Sequence, residues 1–201
     1  MMPATEQDKS ATRGWKFLRW MRWFLFLAGT LAISYVALTL LYANFYQRAA
    51  GKALEEQISA HEHHQVTPPA AKEGDVLGLL EIPRLGLKVA ILAGTTSQTL
   101  RLGVGHIEGT ALPGEPGNAG IAGHRDTYFR VLRNIRAGDR IRILTATGPS
   151  VYVVDWTRIV APSDTEILAP TPGSSITLVT CHPFYFIGAA PNRFVVHAHK
   201  E

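Results

Sequence analysis

The sequence predicts an all-β domain with short helices, closed into an eight-stranded β-barrel and preceded by one transmembrane helix. Three observations lead there. From Asp75 onward the chain is a series of short β-type runs punctuated by Gly and Pro. The helical stretches between those runs are brief, which favours a closed or nearly closed barrel over alternating α/β layers. Between Arg22 and Arg48 there is no Lys, Arg, Asp or Glu. The core of that window is about the length that crosses roughly 30 Å of hydrocarbon as a helix.

The N-terminal part divides at charge and composition boundaries. Residues 1–22 form a basic tail, with Lys9, Arg13, Lys16, Arg19 and Arg22 against Glu6 and Asp8. Residues 23–43 are the expected membrane anchor, bracketed by Trp15, Trp20 and Trp23 at one end and Tyr42 and Tyr46 at the other, as in interfacial aromatic belts. A cleaved signal peptide fits less well. Its apolar region is usually about 7–15 residues, and Leu41-Tyr42-Ala43 puts a bulky side chain where a small one is wanted. The excess of Lys and Arg before the anchor orients it with the N-terminus in the cytoplasm and the rest outside, a single-pass protein of the cell membrane. Residues 44–74 read as a helical continuation and a Pro-containing stalk. His61, His63 and His64 in that stretch belong to a polar linker rather than a metal site.

The formal net charge of +4 sits largely in the tail. From Asp75 onward twelve basic residues face ten acidic ones, so nucleic-acid binding is not expected. In the domain of residues 75–201, Val76–Ile82 and Leu87–Ile91 are strands joined through Pro83 and Leu85-Gly86. Thr95 or Ser97 caps a short helix ending at Leu102. Val104–Glu108 precedes the Pro- and Gly-rich loop 112–118. Ala119–Gly123 is a strand of small residues, crowded against a neighbour or a ligand. Asp126 or Thr127 caps a helix over Tyr128–Asn134. Arg140–Leu144 and Val151–Val160 flank the turn signal Thr147-Gly148-Pro149. Ile176–Cys181 and Arg193–Ala198 complete the eight. The arginines 125, 130, 133, 136, 140 and 142 are expected to form a solvated face.

The chemistry centres on Cys181, the only cysteine. It alternates with the apolar positions of its strand, and Pro183 stops the ladder by removing a donor, which places Cys181 at the strand end. An unpaired cysteine outside the cytoplasm is a reactive thiol, an intermolecular linker or a buried small residue. A nucleophilic role requires a base or cation to generate thiolate. Of the five histidines in the domain, His124 is the best placed, because Ala122-Gly-His-Arg-Asp126 directly follows the small-residue strand. His182 adjoins Cys181, but neighbours in extended chain point to opposite faces. Arg193 opens the last strand, twelve residues after Cys181 (193 − 181). If that strand returns antiparallel, Arg193 lies beside the cysteine, where its charged fork can stabilise an oxyanion or hold a substrate backbone.

Thr177-Leu-Val-Thr-Cys181, the upstream Gly-His124-Arg and the downstream Asn-Arg193-Phe-Val-Val together resemble the sortases, membrane-anchored cysteine transpeptidases. The order His, Cys, Arg and the 57-residue interval from His124 to Cys181 (181 − 124) fit that family. Cys181-His-Pro-Phe-Tyr-Phe-Ile-Gly188 is most similar to its class D branch, with His182 standing where that class would have an aromatic residue such as Tyr. The resemblance implies a sortase-type barrel and a two-step acyl transfer. Cys181 would attack the Thr–Gly amide of an LPXTG- or LAXTG-like sorting signal on a surface protein. His124 would act as general acid and then base, with Arg193 as oxyanion or substrate ligand. It also implies lesser roles at the substrate cleft for Thr180, as a hydrogen-bonding group, and for His182, while Asp126 either orients His124 or caps a helix. The acceptor would be an amine of a cell-wall precursor or of another protein. No metal or cofactor is implied for the bond-making step. Calcium stimulates some members, and no residue cluster here marks such a site.

Three rival readings differ in testable ways. An L,D-transpeptidase would carry a Ser-His-Gly-Cys-type context, which is absent. A cysteine peptidase would share the acyl-enzyme and discharge it to water. An anchored adaptor domain would leave Cys181 inert.

Overall fold

In the computed structural model, residues 19–42, 45, 71–185 and 188–201 are described. The chain divides into two compact units, Met1–Asn44 and Phe45–Glu201. In the first, a helix α1 runs over Arg19–Tyr42, 24 residues long and apolar enough to cross a membrane. At about 1.5 Å per residue it is about 36 Å long. The helical continuation expected over 44–60 and the histidines 61, 63 and 64 lie outside the described residues.

The second unit is a closed barrel of eight strands: β1 (Val76–Ile82), β2 (Leu87–Ala93), β3 (Val104–His106), β4 (Gly117–Gly123), β5 (Arg140–Thr145), β6 (Gly148–Val160), β7 (Ser174–His182) and β8 (Asn192–Lys200). Around the barrel the order is β1-β2-β3-β4-β7-β8-β6-β5, with β5 returning to β1. Two neighbouring pairs are parallel, β2 with β3 and β4 with β7. The parallel β4–β7 pair follows from topology, because the β5–β6 hairpin lies between them in sequence and closes the barrel on its far side.

Period-two alternation fills the interior. Ile141 and Ile143 of β5, Ile176 and Leu178 of β7, and Val196 and Ala198 of β8 are fully buried, together with Leu80, Ile91, Ile121 and Tyr152. Each large aliphatic side chain removed from water in this way contributes about 1.5–3 kcal/mol.

Three local expectations are corrected. The cap of the short helix α2 (Ser97–Leu102) is Thr96, whose Oγ1 accepts from the Thr99 amide at 3.3 Å, rather than Thr95 or Ser97. Tyr128–Asn134 is a 3-10 segment, and its N-cap position, Thr127, makes no side-chain cap bond. Its inward residues Phe129 and Leu132 are held by the core rather than by a capped helical turn. β4 also begins earlier than expected, at Gly117, because Gly117 and Asn118 already pair with Ser174 and Ser175.

The small residues of β4 are explained by close neighbours. A Cβ on Gly120 would lie 3.0 Å from Leu168 Cδ2 and 3.2 Å from the Ile107 side chain, and a Cβ on Gly123 would lie 2.6 Å from the Phe129 ring. A second anchor ties the β1–β2 turn to the start of β5. Arg84 donates through Nε and Nη2 to the two carboxylate oxygens of Asp139, and through Nη2 to the Asn134 carbonyl at 2.7 Å. Hydrogen bonds from Arg84 above all hold the buried Asp139 carboxyl below its ordinary range against the opposing effect of burial, with help from the Arg136 amide at 2.8 Å.

Candidate active site at the end of strands β4, β7 and β8

Strand β7 ends at His182, one residue before Pro183, as the missing proline donor requires. Cys181 is therefore the penultimate residue of the strand, half-buried and unpaired. On one side, β7 pairs with β8 so that Cys181 stands directly opposite Arg193. Directly opposed residues share a face of the sheet, with Cβ atoms about 4.5–5.5 Å apart. On the other side, the parallel register matches Gly123 with Thr180. The next residues, His124 and Cys181, thus leave adjacent strand ends side by side, on strands about 4.8 Å apart. The register of three neighbouring strands brings the backbones of His124, Cys181 and Arg193 to the same end of the barrel, with Cys181 on the middle strand.

The row is exposed enough to meet a ligand and fixed enough to be reproducible. His124 and Arg193 are both half-buried. The Phe129 amide donates to the His124 carbonyl at 3.1 Å, fixing the backbone from which the imidazole projects. Arg193 uses Nη1 on its own loop, donating to the carbonyls of Ala190 at 3.3 Å and Asn192 at 3.1 Å. Among the described residues its Nε and Nη2 make no hydrogen bond.

The three further residues singled out from sequence sit differently. Thr180 is 2% exposed, and its Oγ1 donates to the Gly123 carbonyl at 2.7 Å. Its hydroxyl is consumed inside the barrel, fastening the ends of β4 and β7 instead of reaching a cleft. His182 faces away from Cys181. Its ring lies edge-on to Phe184 at 5.9 Å and stacks on Phe194 at 6.4 Å, with a buried Nδ1 that has no partner among the described residues. Asp126 is exposed and makes no hydrogen bond among the described residues, to His124 or to a helix end.

The other described histidines, His106, His197 and His199, are engaged within the barrel domain. His106 is buried, its Nε2 within 2.8 Å of the Ala111 carbonyl. His197 and His199 both place Nδ1 on the Asp155 carboxylate, at 2.9 and 2.5 Å. Among the described residues no group of three His, Cys, Asp or Glu side chains could hold a metal ion.

Sequence reasoning missed two anchors. Asn118, 2% exposed, donates through Nδ2 to the carbonyls of Ile167 and Ala169 at 3.1 and 3.2 Å, and its Oδ1 accepts from Thr177 Oγ1 at 2.8 Å. It pins the β6–β7 loop over the outer face of β4 and β7. Arg125, expected on a solvated face, instead donates to the carbonyls of Pro183 and Gly188 in the β7–β8 loop. An Asn inside a predicted loop and an Arg beside a histidine were the only sequence signals for these anchors.

Comparison with known proteins agrees with this fold. Residues 80–201 match the family described as "Sortase domain". The chain is 35% identical over 128 residues to Sortase D of Bacillus subtilis, covering 63% of this chain and 65% of that protein. It is 31% identical over 175 residues to Sortase SrtE1 of Streptomyces coelicolor, covering 77% and 50%. The chain thus spans between half and two thirds of the length of these relatives. Among solved structures, a Clostridium perfringens Sortase D5 transpeptidase superposes with a TM-score of 0.64 at 29% identity, over 79% of this chain and 97% of that one. Sortase A of Corynebacterium diphtheriae gives a TM-score of 0.61 at 29% identity, over 79% and 84%. The eight-stranded barrel, the His–Cys–Arg row across β4, β7 and β8, and the match over residues 80–201 place this chain in the sortase family.

Proposed function

We propose that this protein is a membrane-anchored cysteine transpeptidase that cleaves an LPXTG- or LAXTG-like sorting signal between Thr and Gly and transfers the acyl part to an amine. The observation that carries the reading is the register that sets Cys181 between His124 and Arg193 at one end of the barrel. The Cys181 thiolate attacks the Thr carbonyl carbon, and the developing oxyanion is met by the guanidinium of Arg193. The C–N bond breaks as His124 gives its proton to the leaving amine, which leaves a thioester on Cys181. His124 then takes a proton from the incoming amine, which attacks the thioester. The C–S bond breaks and the thiolate is regenerated. No metal takes part in either step.

Helix α1 serves as the anchor, with the basic N-terminal tail in the cytoplasm and the barrel outside. The substrates are surface proteins carrying the sorting signal, and the acceptor is an amine of a wall precursor or of another protein. The test uses the full chain in detergent micelles with a sorting-signal peptide, with and without added amine. Amide product that rises with amine concentration and disappears in Cys181→Ala supports transpeptidation. Hydrolysis that is insensitive to amine would identify a peptidase, and no turnover of any signal peptide would point to an inert adaptor.

A further inference from the structure

Arg125 follows His124 directly, yet its side chain does not stay with the β4 end. Its Nη1 donates to the Pro183 carbonyl at 3.1 Å and its Nη2 to the Gly188 carbonyl at 2.8 Å. These carbonyls belong to the connection between β7 and β8, two residues after Cys181 (183 − 181) and five before Arg193 (193 − 188). One guanidinium, rooted beside the histidine, therefore grips the loop whose two ends carry the cysteine and the arginine. We propose that Arg125 is a positioning residue for the His124–Cys181–Arg193 row, holding the histidine-bearing segment and the β7–β8 loop at a fixed separation. This inference rests on the reading of Cys181 and His124 as a reacting pair.

The chemistry suits arginine better than lysine. The loop leaves the barrel ladder at His182 and rejoins it at Asn192, so the Pro183 and Gly188 carbonyls are held by Arg125 rather than by a neighbouring strand. A planar fork reaches two carbonyls at once with charge-assisted bonds, whereas the point charge of lysine fixes one less directionally. Both acceptors are backbone atoms, so the grip depends on the path of the loop rather than on its side chains. Gly188 carries a φ of +105°, a conformation that L side chains rarely adopt. An alanine at 188 therefore disturbs the same clamp from its other end. Small displacements of reacting groups cost on the order of a hundredfold in rate, which is how a residue with no substrate contact can govern turnover.

The experiment uses the full chain in detergent micelles, with Arg125→Ala, Arg125→Lys and Gly188→Ala compared for kcat, KM and melting temperature. Alkylation of Cys181 by iodoacetamide is measured alongside, in each background with and without His124→Ala. The expected result is a kcat lowered by about ten- to a hundredfold in Arg125→Ala, with KM within about twofold and partial recovery in Arg125→Lys. Arg125→Ala combined with Gly188→Ala should be no worse than the more severe single variant, because both act through one clamp. Alkylation in Arg125→Ala should lose most of its dependence on His124. Three results overturn the proposal: wild-type kcat in Arg125→Ala, a change confined to KM, or an activity loss matched by loss of folded protein with His124-dependent alkylation intact. If the wild-type chain turns over no peptide, the transpeptidase reading fails on its own. The alkylation series then still decides whether Arg125 places His124 beside Cys181.

Discussion

The Oγ1 of Thr180 donates to the carbonyl of Gly123 at 2.7 Å inside the barrel, one residue before Cys181 on β7 and one residue before His124 on β4. This bond locks the register between the strand that carries the thiol and the strand that delivers the imidazole. Thr180→Val keeps the shape and removes the donor, leaving the Gly123 carbonyl without it. The expected cost is about 1–3 kcal/mol in stability and about a tenfold fall in kcat from displaced groups. Thr180→Ser, which retains the hydroxyl, should recover most of the activity. Thermal melts and steady-state kinetics on the same preparations check this.

Gly123 is required by the aromatic ring beneath it. A methyl group there would sit 2.6 to 3.0 Å from three atoms of the Phe129 ring, which is fully buried. Gly123→Ala should destabilise the domain by about 1–3 kcal/mol, the usual range for overpacking, and lower turnover because His124 is the next residue. Combining it with Phe129→Leu should restore part of both losses. Melting temperatures of the single and double variants measure the coupling.

Asn118 is the fastening point of the β6–β7 loop. Asn118→Ala removes two bonds to loop carbonyls and the acceptor for Thr177. The predicted effect is local, with faster amide exchange and easier proteolysis over residues 161–173 while the barrel strands stay protected. Hydrogen exchange read by mass spectrometry distinguishes this from global destabilisation.

Asp139 gives a pH dependence whose sign is fixed. Its carboxyl is held below the ordinary range, chiefly by the Arg84 hydrogen bonds. Its contribution to stability is therefore fully present above the unfolded-state value of about 3.9 and is lost as pH falls through that value toward the folded one. Asp139→Asn should be less stable than wild type at neutral pH and should lose less stability between about pH 5 and pH 2. Urea denaturation across that range tests both statements.

The parts of this molecule that were legible from sequence are those written in local pattern. Pro183 marks the end of β7, alternation marks Ile176, Leu178 and Thr180 as inward, and the twelve-residue return brings Arg193 opposite Cys181. The small residues of β4 correctly signalled crowding, although only the structure shows that Phe129, Leu168 and Ile107 cause it. What escaped the sequence is long-range. Thr180 with Gly123, Asn118 with Thr177, and Arg125 with Pro183 and Gly188 are partners 57 to 63 residues apart. They meet only because β4 and β7 run parallel after a crossover through the β5–β6 hairpin. Alternation turns the Thr180 side chain inward, but the partner of its hydroxyl is the Gly123 carbonyl across the parallel register, which no local pattern reveals. Tyr128–Asn134 became a 3-10 segment because core contacts of Phe129 and Leu132 hold it without a side-chain cap.

The most direct test of the central claim is intact-protein and peptide mass spectrometry on the full chain after mixing with a panel of sorting-signal peptides. The account predicts a covalent adduct on Cys181 alone, equal in mass to the acyl part of the peptide up to its Thr. That adduct should be discharged by added amine and absent from Cys181→Ala. Folded protein that gives no adduct with any peptide of the panel, or gives one at a residue other than Cys181, would contradict it.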